Sequence, residues 1–304
     1  MLHSWHTSVM TAGMGRILSA AMVLTIVVPL AVAAIVAVRS WKDAIADFDP
    51  PRGTRVRWPA SIPDVAGREN VAFTSTEGDS IRGWYVPSRN GAAIALVHGT
   101  RADRSQFAME ISDLTGRGFG VLAYDEPGCG ESGGHVTWGH SERAALGAAV
   151  GWLTRARGVA HVGVLGFSQG SFIAAQVAPD DPRIEALVLE GAIANFTEAT
   201  WQEFRRWGPL SRWPAYLGRR VAGYAPSDPQ PDEVLARFNR PLLIIRGDAD
   251  RAVPSSHTER LFALAPGPKE RWIIPGADHG NYAAVAPVQY AERLAAFFER
   301  ALLR

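Results

Sequence analysis

The chain has 304 residues, of which 47% are hydrophobic and 20% charged, with a formal net charge of +1. That length can bury one large core, and the balanced charge offers no basic face of the kind nucleic acid requires, so no nucleic-acid partner is expected. A single cysteine, Cys129, excludes an internal disulfide, and no CxxC, HExxH or His/Cys cluster at metal-ligand spacing occurs, so neither a metal nor any other cofactor is expected.

The first feature along the chain is an apolar run from Ile17 to Val38, bounded by Arg16 before it and by Arg39 and Lys42 after it. Such a run is long enough to cross a bilayer core of roughly 30 Å. The competing reading is a cleaved signal peptide ending in the Ala-rich stretch 31–37. A signal core spans only about 7–15 residues, which favours a single-pass N-terminal anchor in the lipid bilayer. Basic residues are denser after the run (Arg39, Lys42, Arg52, Arg55, Arg57) than before it. By the positive-inside rule this favours a cytoplasmic domain, but an N-terminus held inside is equally compatible with export, and the side stays open. Residues 1–40 are therefore expected to form the anchor region and the proline-rich stretch 41–69 a linker. Residues 70–304 are expected to form the folded domain.

From Val71 the pattern alternates. Strands are predicted at Val71–Thr76 and Ile81–Pro87, joined by a turn, then at Ala92–Val97, Phe119–Tyr124, Val162–Phe167, Ile184–Leu189, Pro241–Arg246 and Arg271–Ile274. Helices are predicted at Asp103–Arg117, Ser141–Arg157, from Ser171, at Ser255–Ala265 and at Pro287–Leu303. This order specifies an α/β fold with a mostly parallel sheet of about eight strands and helices on both faces. One segment, 192–239, breaks the alternation and is expected to be a cap. It carries Trp201, Trp207 and Trp213 among several arginines. The tryptophans point to an apolar cleft or, in an anchored chain, to contact with the bilayer surface. The arginines read as solvated charge or as partners for a substrate carboxylate or phosphate.

Gly166-Phe167-Ser168-Gln169-Gly170 joins the fifth predicted strand to a helix with no spacer. A serine on so sharp a turn is lifted clear of the sheet beside the N–H donors of a helix N-terminus, which suits a nucleophile. A second match, Gly130-Glu131-Ser132-Gly133-Gly134, follows a Pro-Gly-Cys-Gly loop and starts no helix, so Ser132 is read as a loop residue. Serine needs a base, itself oriented by a third group. Among eight histidines, His279 sits in a Gly-bracketed loop directly after the last strand and is the expected base. His3 and His6 precede the apolar run, and His161 lies at the wrong end of the sheet. His98 belongs to the loop after a strand and is expected to shape it. For the acid, Asp250 is preferred to Asp248, which can bond nearby backbone, with Glu190 a third candidate. The oxyanion needs two fixed donors, expected from the backbone N–H groups of Gln169 and Thr100.

His98-Gly99-Thr100, the Ser168 motif, Gly247-Asp248-Ala249-Asp250 with Val253-Pro254, and Gly276-Ala277-Asp278-His279 occur in the order of the α/β-hydrolase superfamily, which the chain resembles over roughly 70–303. Tyr124 to Ser132 looks like the Asp-x-x-Gly-x-Gly-x-Ser loop of those proteins and accounts for the second Gly-x-Ser-x-Gly. The resemblance implies the α/β-hydrolase fold, an acid at Asp250, and a position near the membrane-anchored BEM46-like serine hydrolases. The expected activity is hydrolysis of a small-molecule ester or thioester, through an acyl-enzyme on a Ser168–His279–Asp250 triad. An amidase or peptidase of the same fold, or a non-catalytic binding member, are the alternatives.

Overall fold

The computed structural model describes residues 22–51, 53 and 55–303, so the first part of the apolar run lies outside the described residues. Eight strands form one sheet in the order β1-β2-β4-β3-β5-β6-β7-β8. They are β1 (Glu69–Thr74), β2 (Ser80–Val86), β3 (Ala92–Val97), β4 (Gly120–Tyr124), β5 (His161–Phe167), β6 (Ile184–Glu190), β7 (Leu242–Gly247) and β8 (Lys269–Ile274). β1 pairs with β2 and β2 with β4 antiparallel, and every other pairing in the sheet is parallel.

The central strand β3 is apolar and buried at every position because both faces of the sheet are covered. In β3 the period-2 alternation sends Ala93, Ala95 and Val97 into one core cluster and Ala92, Ile94 and Leu96 into the other. The first cluster is closed by α3 (His140–Ala156) and α4 (Gln169–Val177), and the second by α2 (Ala108–Gly116) and α8 (Pro287–Leu302). Full burial of a side chain such as Ile94 contributes about 1.5–3 kcal/mol. The sequence places a helix at 103–117; its first turn is instead a 3-10 segment, Arg104–Phe107, capped by the Asp103 side chain.

At the N-terminus, α1 (Val28–Ala46) is preceded by a wide π-helical turn at Val23–Val27. Pro29 has no N–H to bond the preceding turn, which explains the local widening. The stretch Leu24–Ala46 is long and apolar enough to cross a membrane. The helix runs past the boundary expected at residue 40 because its later turns have a docking partner. Between β6 and β7 lie α5 (Phe196–Glu203) and α6 (Pro209–Ala222), then α7 (Ser255–Leu264) follows β7. α1 packs along α6 through small residues: a β-carbon on Gly218 would stand 3.2 Å from Ile45 Cγ2 and 3.3 Å from the Trp41 carbonyl oxygen. Ser40 and Ala44 of α1 and Ser211, Ala215 and Gly218 of α6 are buried.

The stretch expected to be a free tether also lies on the domain. Phe48 is buried in the core, the Trp58 ring sits 5.4 Å from that of Trp84, and the Arg68 guanidinium stacks on both. Apolar bulk at Phe48 and Trp58 gives the chain surface to bury, which a proline count does not register.

Candidate active site

The site forms where β5, β7 and β8 end. Ser168 follows β5 directly and has φ of 52° and ψ of −112°, a positive-φ conformation that a non-glycine residue holds only under constraint. The constraint comes from backbone crowding. A β-carbon on Gly170 would lie 1.9 Å from the Val97 carbonyl oxygen, and one on Gly166 would lie 2.2 Å from the carbonyl oxygen of Gly170. Only glycine fits either position, so the motif is a packing requirement of the turn.

The structure brings Ser168, His279 and Asp250 into one chain of hydrogen bonds. His279 Nε2 lies 2.9 Å from Ser168 Oγ, and His279 Nδ1 lies 2.9 Å from Asp250 Oδ2. The other carboxylate oxygen of Asp250 accepts the backbone N–H groups of Ala252 and Val253, each at 2.9 Å. Burial alone would raise the Asp250 pKa. The bond from His279 and the two backbone donors outweigh it and hold the carboxyl below the usual range. An ionised carboxylate at Nδ1 requires the proton there and leaves the Nε2 lone pair facing the hydroxyl. The imidazole is held from both sides. Its ring centroid lies 4.9 Å from that of Phe167, and a β-carbon on Gly191 would stand 2.6 Å from its Cε1.

Thr100 lies in the loop after β3, and Gln169, the residue after the serine, opens α4. The loop between them and Ser168 is close: a β-carbon on Gly99 would lie 3.4 Å from Ser168 Cβ. Among the described residues neither the Thr100 nor the Gln169 N–H is taken up by another group. His98, fully buried, donates from Nδ1 to the Gly99 carbonyl at 2.8 Å and accepts the Glu126 N–H at Nε2 at 2.9 Å. Burial pushes its pKa down. It is neutral, fully bonded and shapes the loop.

Among the described residues the other candidates have structural partners; His3 and His6 lie outside the described residues. Ser132 Oγ donates to the Asp125 carbonyl at 2.7 Å and accepts the Arg82 N–H at 2.9 Å, tying the loop to β2. Asp248 accepts the Gly276 N–H at 2.7 Å. Glu190 accepts the Tyr290 hydroxyl at 2.7 Å, and that hydroxyl also lies 3.0 Å from Glu110. His161 pairs with Glu185 at the far end of the sheet, and His257 bonds Ala194 and Gln202 under the cap. Cys129 is buried, and burial raises its thiol pKa far from the nucleophilic range. Among the described residues no group of three or more His, Cys, Asp or Glu side chains is placed to hold a metal.

Sequence reasoning missed two neighbours of this site. Gly191 carries φ of 53° and gives the imidazole its room; a lone glycine after a strand gave no signal. Arg101, at φ of 58°, reaches from the residue after Thr100 to the Ala46 carbonyl at the end of α1, at 2.9 Å. In the cap one arginine departs from the solvated charge expected of that segment. Trp207 and Trp213 are half exposed and face outward, whereas Arg219 is buried on Phe196, bonding Thr200, Asp47 and Glu203.

Residues 92–223 match the α/β hydrolase fold family. An uncharacterised protein of Mycobacterium tuberculosis is 31% identical over 221 residues, covering 71% of this chain and 73% of its own length. The uncharacterised protein YfhR of Escherichia coli O157:H7 is 29% identical over 231 residues, covering 71% and 75%. Among solved structures, the Pyrococcus furiosus esterase Pf2001 superposes with a TM-score of 0.68 at 21% identity, covering 83% of this chain and 99% of that one. By its sheet, its serine turn and this relationship, the chain belongs to the α/β-hydrolase family.

Proposed function

We propose that the protein is a serine hydrolase that cleaves a carboxylic ester or thioester, held at a membrane by its N-terminal helix. The observation that carries the reading is the unbroken chain from Asp250 through His279 to Ser168 Oγ, with the serine in a strained turn at a helix N-terminus.

In the first step Ser168 Oγ bonds to the substrate carbonyl carbon while His279 Nε2 takes the hydroxyl proton. Charge then develops on the carbonyl oxygen, where the Thr100 and Gln169 N–H groups stabilise it. His279 returns the proton to the departing alcohol or thiol, leaving an acyl group on Ser168. Water, deprotonated by the same nitrogen, attacks the acyl carbon, and the proton returns to Oγ as the acid leaves. Asp250 fixes the imidazole tautomer and stabilises the imidazolium without itself taking the proton. An alkoxide or thiolate leaves more readily than an amine, which is why an ester or thioester is the substrate class. The esterase structures that superpose on the chain support the same class.

The membrane part rests on the apolar helix Leu24–Ala46, most of whose apolar length stands clear of the folded domain. Helix α1 docks on α6 and Arg101 bonds its last turn, so the intact chain is the correct material for the test.

The test is labelling of the detergent-solubilised full chain with a fluorophosphonate probe, the modified peptide being located by mass spectrometry. Label on Ser168 that disappears in His279→Ala is expected. Label on Ser132 would reassign the nucleophile. A folded protein that takes no label, and turns over no p-nitrophenyl acetate, would sink the reading in favour of a non-catalytic member of the fold.

A further inference from the structure

The cap helix α6 has one face on the protein and one that, among the described residues, stays largely exposed, with Trp213 touching the Trp201 edge of the cap at 5.3 Å between ring centroids. Ser211, Ala215, Gly218 and Arg219 turn inward, and α1 packs along them. Leu210, Trp213 and Leu217 are each 50% exposed and Val221 is 75% exposed. Steps of three, four and four residues put these four on one side of the helix. Trp207, also 50% exposed, extends the apolar side just before the helix starts. A row of large apolar side chains in water is costly, and on a soluble surface it marks a contact.

The neighbour of this row identifies what covers it. The inward side of α6 is held by the turns of α1 around Trp41, Ile45 and Asp47. Those turns come directly after the outward apolar residues Leu30, Val32, Ile35 and Val38, which are 44–66% exposed along with Val28. The first exposed charges after them are Arg39 and Lys42. In an α1 that enters a bilayer, the apolar residues end and the charges begin at the headgroup level. α6, packed against the stretch just past that point, is therefore held at the depth of the interface. Arg205, Arg206 and Arg220 are exposed around the apolar row, and Arg206 stacks on Trp207. Apolar residues and tryptophan on one side with arginine beside them match an amphipathic helix lying in the interface of an anionic membrane.

We propose that the outward face of α6 docks into the interfacial layer of a bilayer containing anionic lipid, as a second membrane contact beside the α1 anchor. The proposal rests on the reading of α1 as a membrane anchor. It holds the cap against the bilayer surface. The segment carrying α5 and α6 leaves the sheet at Gly191, beside the His279 ring, and Asp47 at the end of α1 pairs with Arg219 of α6 at 2.9 Å. Hydrolysable lipids would accordingly meet the protein on its cap side.

Site-directed spin labelling of the full chain in vesicles of phosphatidylcholine and phosphatidylglycerol tests this. Three single variants are labelled: Leu217→Cys on the α6 face, Leu30→Cys on the anchor, and Thr76→Cys on the exposed β1–β2 turn. Native Cys129 is buried and stays unlabelled in the folded protein. The expected result is collision of the 217 label with dissolved oxygen at a rate several-fold above its collision with a water-soluble nickel complex, as at position 30. The ratio at position 76 should be inverted. Immersion at 30 with nickel access at 217 equal to that at 76 would overturn the α6 proposal and leave the anchor standing. Exposure at both 30 and 217 would overturn both. Spin–spin broadening at 217 in lipid would show a second copy of the chain covering the face, which also overturns the proposal. None of these readouts depends on hydrolysis, so failure of the Ser168 assignment would be recognised separately.

Discussion

The Cα of Gly99 lies so near the Phe167 ring that a β-carbon there would come within 2.8 Å of Cδ1. The same glycine is held from the other side, its N–H donating to Gln106 Oε1 at 3.0 Å. Thr100, the next residue, is thus placed by contact between two loops that are distant in sequence. Gly99→Ala should displace the Thr100 N–H from its proposed oxyanion-binding position while leaving the core intact. We expect kcat on p-nitrophenyl acetate to fall by roughly 100-fold, the loss typical of one oxyanion donor. An unchanged kcat would remove Thr100 from that role.

Asp250→Asn separates geometry from charge. Asparagine keeps the oxygen that accepts the Ala252 and Val253 N–H groups, but it presents a neutral group to His279 Nδ1. The rate should drop by about 10,000-fold, as expected when the imidazole loses its correct tautomer. The wild-type carboxyl is depressed in the fold, so its contribution to stability is complete above the ordinary carboxylate range and is lost only as pH falls through the lowered folded value. The thermal midpoint of wild type minus that of Asp250→Asn should accordingly shrink only in acid.

Ser132 and Ser168 share a motif and should part on mutation. Ser132→Ala removes a hydroxyl that donates to Asp125 and accepts from Arg82. It should cost about 1–3 kcal/mol of stability with fluorophosphonate labelling retained. Ser168→Ala should abolish labelling with little change in melting. The reverse pattern would mean the wrong turn carries the nucleophile.

A pH effect of opposite sign should come from Glu110 and Glu190. Burial raises their carboxyls to about 7 and about 8, with Glu110 adding repulsion at Glu190. One Tyr290 hydroxyl proton cannot satisfy both, so one carboxyl keeps its proton and donates. Between about pH 4.5 and 8 the unfolded chain releases protons that the fold retains, so stability falls as pH rises through that window, by on the order of a few kcal/mol. Glu190→Gln should flatten this decline in the thermal midpoint measured from roughly pH 5 to 9. An equally steep decline in the variant would show that the pair stays ionised.

The alternation of apolar runs with helical spacings was enough to specify the α/β class and the strand order along the chain, because a sheet covered on both faces needs apolar residues at every position of its central strands, as in Ala92–Val97. The motifs at Ser168, Asp250 and His279 were legible for a similar local reason: each sits at the end of a strand, where glycine or proline marks the turn. Their joining across 111 and 29 residues of chain is a property of the parallel sheet, which brings the ends of β5, β7 and β8 to one edge, with β6 between the first two.

Other features had no local signature. Nothing in the string distinguishes Arg219, buried under Phe196 and bound to Asp47, from Arg206 on the surface. Nor does it show that the stretch after Val38 continues as helix and docks on α6, or that Arg101 bonds the Ala46 carbonyl. Chain order dictates which residues can be strand, turn and nucleophile, since those depend on neighbours a few positions away. Which charges are paired, which tryptophans face outward and what braces His279 depend on surfaces that meet only after the chain has closed on itself, and the tertiary structure alone decided those.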